Sequence, residues 1–149
     1  MPAGALSLVW RQAASLRNTL GCPTELERTT WSVEEHFQYG YMYWREDISW
    51  IYVLYDDHTW QDFRDTFREG QTESVGYVPP SGLLEPVRGF GKVWREQLGG
   101  PQARIGWATD KERGVYSQVL AFERGEMLHV EGRVYVLYRD SGTWEQFAP

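Results

Sequence analysis

The feature that most constrains the fold is an internal repeat, because residues 9–63 realign on residues 93–147 with only short gaps. The matched pairs include Val9/Val93, Trp10/Trp94, Gly21/Gly106, Phe37/Phe122, Gly40/Gly125, Tyr55/Tyr138 and Trp60/Trp144. Self-similarity of this kind is typical of a chain that builds one supersecondary unit twice. We therefore predict repeat unit 1 over residues 1–63, a connector over 64–92 and repeat unit 2 over 93–149, all within one compact domain.

Each repeat begins with a predicted helix. Apolar residues at helical spacing form one face of the first helix, and Ser7 is placed to cap it. That face comprises Val9, Ala13, Leu16 and Leu20. The counterpart over residues 92–98 is shorter, because Gly99-Gly100-Pro101 follows it. Both repeats then carry a capping box, Thr24-x-x-Glu27 and Thr109-x-x-Glu112, which predicts a short helical turn.

The second half of each repeat alternates residues at the period of a β-strand. The predicted strands cover residues 33–37, 41–45 and 50–55 in the first repeat, and 116–122, 127–130 and 133–138 in the second. We predict an α+β fold that is mainly antiparallel β. Each unit is expected to be a helix plus a three-stranded antiparallel meander, with the two units related by a pseudo-twofold axis. The connector has turn chemistry and is predicted to be a loop or a strap packed across the surface.

Composition excludes several classes of protein. Aromatic residues make up 15% of the chain, which is incompatible with a disordered segment. A net charge of -6 disfavours a nucleic-acid partner, and no apolar run reaches the length of a membrane-spanning helix. The single cysteine excludes an internal disulfide. Because no signal peptide is visible, we expect either a cytoplasmic protein or a piece of a larger extracellular or cell-surface protein.

Nothing in the sequence favours catalysis, a metal or a cofactor. Cys22 and the three histidines lack partners at the spacing of a catalytic or metal-binding motif. The adjacent acidic pairs are expected to be solvated, and in a strand such as Glu34-Glu35 the two side chains point to opposite faces. A small hydrolase is therefore the least favoured function, although a cleft that holds a carboxyl of raised pKa would revive it.

The tryptophans divide into two groups. Trp10, Trp94, Trp60 and Trp144 recur at equivalent repeat positions, so we expect them to form the core. The unpaired tryptophans are freer to bind a ligand, and flat aromatic faces stack on sugar rings. Two of them flank the first hairpin, with a charged Arg-Glu-Asp segment following the first. The predicted ligand-binding residues are Trp44, Trp50, Arg45, Glu46, Asp47, Trp31, Trp107 and His129, the last of which replaces a strand Trp.

Two stretches of the first repeat, Leu20-Gly21-Cys22-Pro23 and Phe37-x-x-Gly40-x-Met42-Tyr43-Trp44, resemble the LGFP repeat. That family has an LGxP turn and then a Phe-x-x-Gly-x-(aliphatic)-Tyr-Trp strand. Its members are tandem modules of secreted bacterial proteins, and the resemblance implies attachment to envelope glycans. In the second repeat the corresponding turn is Ile105-Gly106-Trp107-Ala108.

We therefore predict a non-catalytic binding module that holds a cell-envelope or other glycan through exposed aromatic side chains. The alternative is a protein-interaction or assembly module of a larger secreted or surface protein, for which an oligomer is possible. The expected partner is thus a glycan or a protein.

Overall fold

The computed structural model describes residues 4–149, so the first three residues of predicted repeat unit 1 lie outside it. The α-helices are α1 (Gly4–Gln12), α2 (Ala14–Leu20) and α3 (Arg88–Glu96), and a short 3-10 helix covers Gly100–Gln102. The strands are β1 (Arg28–Phe37), β2 (Gly40–Arg45), β3 (Trp50–Tyr55), β4 (Trp60–Arg64), β5 (Arg113–Phe122), β6 (Gly125–Val130), β7 (Arg133–Tyr138) and β8 (Thr143–Phe147).

The fold is mostly antiparallel β-sheet with three α-helices, which confirms the predicted α+β, mainly antiparallel β class. The hydrogen-bonded strand order is β4-β3-β2-β1-β5-β6-β7-β8. Each meander has a fourth strand that the prediction lacked, because the segments that follow the turns at Asp57 and Asp140 form β4 and β8. Within residues 4–149, no helix has the length and apolar character needed to cross a membrane.

Contacts divide the chain into two compact units. The N–C unit contains the described residues up to 31 together with 58–60 and 115–149, and the central unit contains 32–57 and 61–114. These compact units do not coincide with the predicted repeat units. In each compact unit a helix of one sequence repeat packs against strands of the other repeat.

The core of the N–C unit joins α1 and α2 to β5–β7. Leu6, Val9 and Leu20 pack with Met127 and Val136 among the buried residues. The predicted single helix is wrong, because Ala13 is extended (φ −148°, ψ 132°) and separates α1 from α2. Ser7 lies buried inside α1 instead of capping a helix. The interruption still leaves the predicted apolar face on one side, since Val9, Leu16 and Leu20 are buried.

The core of the central unit joins α3 to β1–β3. Phe90, Val93 and Trp94 pack with Met42 and Val53. Trp94 has no exposed surface, and its indole N–H donates to the Gly106 carbonyl at 2.8 Å. This buried bond fixes the ring orientation, because an unpaired indole N–H would be costly inside a core.

In both compact units the backbone of one loop is hydrogen-bonded to the backbone of a β-hairpin turn. In the N–C unit the donated bonds are Arg124 N to Leu20 O, Glu123 N to Cys22 O and Thr24 N to Ala121 O, at 2.9, 2.9 and 3.0 Å. In the central unit they are Tyr39 N to Ile105 O, Gln38 N to Trp107 O and Thr109 N to His36 O, at 3.0, 2.9 and 2.9 Å. The predicted helical turns at the capping boxes are absent within these described segments, because their backbone is committed to these bonds.

Candidate functional site

The hairpin that was predicted as an aromatic platform places its two tryptophans on opposite faces. Trp44 is opposite Ile51 in the β2–β3 register, whereas Trp50 is opposite Arg45. Since neighbouring residues of a strand alternate between faces, Trp44 lies on the side covered by α3 and Trp50 on the other side. The structure therefore does not bring the two rings together as one surface.

The charged residues of the same hairpin form an internal ion pair. Arg45 is only 2% exposed, its guanidinium donates to Asp47 at 2.6 and 2.8 Å, and it also reaches the Tyr52 hydroxyl at 3.4 Å. The indole N–H of Trp50 donates to Asp62 at 2.9 Å. Glu46 is exposed in the turn. Arg45 is therefore committed to the fold and cannot present its guanidinium to a ligand.

The remaining predicted residues lie apart from that hairpin. Trp107 packs against the central core, with its ring 5.1 Å from that of Trp94. In the N–C unit Trp31 makes an edge contact with Tyr116 at 4.9 Å. His129 pairs its Nδ1 with Gln118 Oε1 at 2.7 Å.

All eight tryptophans belong to the described residues, and none is exposed: Trp60 and Trp94 are buried and the other six are half-buried. Of the four recurring tryptophans, Trp60 and Trp94 therefore lie in the core as predicted, whereas Trp10 and Trp144 are only partly buried. The exposed aromatic residues are instead Tyr39, Tyr77 and Tyr116. Binding through tryptophan would thus require a recess rather than a flat exposed platform.

Such a recess exists in the central unit. A cleft of roughly 550 Å³ has a floor made by one row of side chains across three strands, namely Val33, Trp44 and Ile51. We call this the central cleft. The walls are formed by the beginning of α3, by the segment after β4 and by Glu112. The wall residues are Asp65, Phe67, Glu69, Gly70, Glu73, Arg88, Gly89, Phe90 and Glu112.

The central cleft combines aromatic surface with acidic groups. Trp44, Phe67 and Phe90 supply the rings. The carboxylates of Asp65, Glu69, Glu73 and Glu112 outnumber the single cation, Arg88, whose guanidinium lies 3.2 Å from Glu112. The cleft therefore carries a negative field over an apolar floor.

Local backbone structure positions these walls. Asp65 accepts a bond from the Phe67 amide at 3.0 Å, which bends the chain after β4. Gly89 is needed beside it, because an added Cβ would lie 2.8 Å from the Asp65 carboxylate. Arg88 adopts φ 54°, a left-handed conformation that is strained for a side chain of its size, and its amide donates to Glu73 O at 3.3 Å.

Glu35 extends from the same face of β1 as the floor residue Val33, although it is not one of the residues that line the central cleft. It is 4% exposed, and its Oε1 is buried without a hydrogen-bond partner. Burial raises the pKa of Glu35 from its ordinary 4.5 to about 8, and the charges of Glu112 and Asp110 raise it further in the same direction. Glu35 is therefore mostly protonated at neutral pH.

Two buried polar atoms of the central unit therefore lack a hydrogen-bond partner, Glu35 Oε1 and the indole Nε1 of Trp44. Burial likewise raises the pKa of Glu112, an effect that Arg88 opposes and Glu73 reinforces. Buried polar atoms without a hydrogen-bond partner are costly to the folded protein.

The expectation that Glu34 and Glu35 are solvated is wrong, although their opposite orientation is confirmed. Glu34 is 3% exposed and accepts bonds from Tyr41 and Arg113 at 2.8 and 2.9 Å. Sequence reasoning therefore missed Glu35 as a site residue and assigned Glu112 to a capping box. Two sequence signals could have indicated this site. One is the alternation along β1, which separates Glu35 from Glu34, and the other is the connector, which was predicted as a loop and forms a wall of the cleft.

Within residues 4–149, no group of three or more His, Cys, Asp or Glu side chains is arranged to hold a metal ion. No family model matches the chain, and no curated protein or solved structure matches it either.

Proposed function

We propose that this chain is a non-catalytic binding module that holds a short stretch of a glycan in the central cleft. The observation that carries the proposal is the floor of that cleft, where the Trp44 ring lies with its buried indole N–H unpaired. A cleft of this volume is of the size that binds small ligands or one to two sugar units.

The lining suits the two kinds of surface that a sugar ring has. The C–H face of a pyranose is apolar and stacks on aromatic side chains such as Trp44 and Phe67. The hydroxyl groups at its edge form hydrogen bonds with carboxylates and guanidinium groups, which Glu112 and Arg88 supply. The proposed partner remains a glycan, but of the predicted ligand-binding residues only Trp44 lines the cleft.

Matched tryptophan variants test this proposal. Calorimetric titration with tetramers of β-1,4-linked glucose, N-acetylglucosamine and glucosamine should show binding of at least one of them. Trp44→Ala should weaken it at least tenfold. Trp50→Ala is the control, because Trp50 is a half-buried tryptophan of the same hairpin on the opposite face. Equal losses in both variants, or no binding of any tetramer, would contradict glycan binding in this cleft.

The raised pKa of Glu35 favours hydrolysis as a second candidate function. A carboxyl that is protonated at neutral pH can donate a proton to a leaving group. The same tetramers, incubated with the protein and analysed by mass spectrometry, separate the two functions. Intact tetramers support a non-catalytic module, whereas shortened products that disappear in Glu35→Gln would establish hydrolysis.

Exposed apolar side chains on the connector favour protein interaction as the alternative. Val75, Tyr77 and Val78 are 54%, 43% and 89% exposed. Sedimentation of the wild type and of Val78→Asp measures self-association. A wild-type oligomer that the variant dissociates would support an assembly module, and a monomer in both cases would argue against self-assembly.

We also propose that the two sequence repeats arose by duplication, as in LGFP-like modules of secreted or cell-surface proteins. Equivalent positions support this, since the hairpin-turn bonds of the two compact units match one for one. At both Gly40 and Gly125 an added Cβ would collide with a carbonyl oxygen of the next strand, that of Leu54 or Leu137.

A further inference from the structure

The charge balance of the central cleft indicates which sugar it holds. Four carboxylate side chains line the cleft against one guanidinium, and Arg88 is already paired with Glu112. Asp65, Glu69 and Glu73 are the carboxylates that the segment after β4 contributes. A neutral sugar would leave this negative field uncompensated, whereas a cation in the cleft would be attracted to it.

The buried groups beside the cleft provide a second, independent observation. Glu35 is more than nine-tenths buried, extends from the same face of β1 as the floor residue Val33, and leaves Oε1 unbonded. The Trp44 indole N–H on the floor is likewise unbonded, and its ring face is the kind of surface on which a cationic group or a sugar C–H face packs. The cleft lining therefore combines acidic charge with an aromatic floor, and the unpaired Glu35 carboxyl extends from the same face of β1 as that floor.

We propose, building on the glycan-binding function above, that the sugar held in the central cleft carries a protonated primary amine, which Glu112, Asp65, Glu69 and Glu73 recognise by charge. An unacetylated amino sugar has this chemistry. Its ring stacks on Trp44, and its ammonium group faces the carboxylates.

A consequence is that binding releases a proton from Glu35. The groups that act on the Glu35 carboxyl come from neighbouring elements: Glu112 and Asp110 before β5, with Arg88 of α3 and Glu73 of the connector acting through Glu112. An ammonium group beside Glu112 stabilises the ionised form of Glu35, so the proton leaves to solvent. Because binding releases a proton while the pH is below the pKa of about 8 of the free Glu35 carboxyl, affinity rises with pH below about 8, by at most about tenfold per pH unit.

Binding of three tetramers with the same linkage tests this proposal. The tetramers are β-1,4-linked glucosamine, N-acetylglucosamine and glucose, which differ mainly at one substituent. Calorimetry at pH 7 in low salt should show the glucosamine tetramer binding at least tenfold more tightly than the other two, with the advantage shrinking in 0.3 M salt (about 6 Å Debye length). Titrations in buffers of different ionisation enthalpy should show proton release.

Variants then assign the effect to residues. Glu35→Gln should bind the glucosamine tetramer without releasing a proton and without the rise of affinity from pH 5 to 7. Glu112→Gln should reduce the preference for the amine at least threefold. Glu96→Gln is the matched control, because Glu96 is an exposed carboxylate of α3 that does not line the cleft, and it should change neither quantity.

The outcomes separate the two proposals. If the acetylated or the neutral tetramer binds as tightly as the glucosamine tetramer, the amine inference is wrong while glycan binding stands. If no tetramer binds, both fail. If a lysine-rich peptide binds and no tetramer does, the amine is recognised on a protein and the glycan is the wrong partner. If Glu35→Gln still releases the full proton, Glu35 is not the linked group.

Discussion

Replacement of Glu35 by glutamine gives the sharpest test of the structural reasoning, because it needs no ligand. Glutamine has nearly the shape of the neutral carboxyl, so Glu35→Gln keeps the protonated form that the folded protein favours. In the unfolded chain Glu35 ionises near its ordinary pKa of 4.5, whereas in the folded chain burial raises its pKa to about 8. The folded state therefore binds a proton that the unfolded state has lost.

The sign and size of the effect follow from proton linkage. Between pH 4.5 and about 8 the folded state holds more protons, so the free energy of unfolding of the wild type falls as pH rises. Each pH unit is worth ~1.4 kcal/mol, and the full interval is therefore worth on the order of 5 kcal/mol. The contribution is fully present below pH 4.5 and is lost as pH rises through 8.

Urea unfolding at pH 5, 6, 7 and 8 measures this difference. We expect the wild type and Glu35→Gln to be nearly equal at pH 5, and the variant to gain by roughly 1 kcal/mol per pH unit above it. Glu46→Gln is the control, because Glu46 is exposed in the β2–β3 turn, and its difference from the wild type should stay constant. A constant difference for Glu35→Gln too would refute the conclusion that Glu35 is buried and protonated.

Two further predictions concern the fold. Fragments 1–63 and 64–149 should each lack stable structure alone and regain it on mixing, as far-UV circular dichroism would show, because each core joins a helix of one repeat to strands of the other; a fragment that folds alone would contradict this. Gly40→Ala should lower the free energy of unfolding by about 2–3 kcal/mol, since the new Cβ would collide with the Leu54 carbonyl oxygen. Gly132→Ala, with open space around it, should change it by less than about 0.5 kcal/mol in denaturant titration.

The sequence placed the strands of both meanders well, because each depends on a local pattern. The segments Tyr52–Tyr55 and Tyr135–Tyr138 lie within β3 and β7, and the prediction of a mainly antiparallel fold is confirmed. The apolar face along Val9, Leu16 and Leu20 is also buried as predicted, even though the helix is interrupted. These features follow from periods of about two and 3.6 residues, which a single sequence displays directly.

The sequence could not show which helix packs on which strands. From the sequence alone, the apolar face of α1–α2 is compatible with the strands of either predicted repeat unit. The turns that determine the choice, such as Leu20 with Arg124, join residues about a hundred positions apart. Long-range pairing of this kind depends on the complementarity of whole surfaces, which local spacing does not encode.

The candidate site, too, was predicted only in part from the sequence. The sequence by itself identified Trp44 as a ligand-binding candidate and the connector as either functional or packed across the surface. Only the tertiary structure brought the connector to the walls of the cleft, put Trp44 on its floor, and placed Trp50 on the other face. It also decided the chemistry of Glu35. A carboxyl's pKa depends on burial and on neighbouring charges, and both are set by segments distant along the chain.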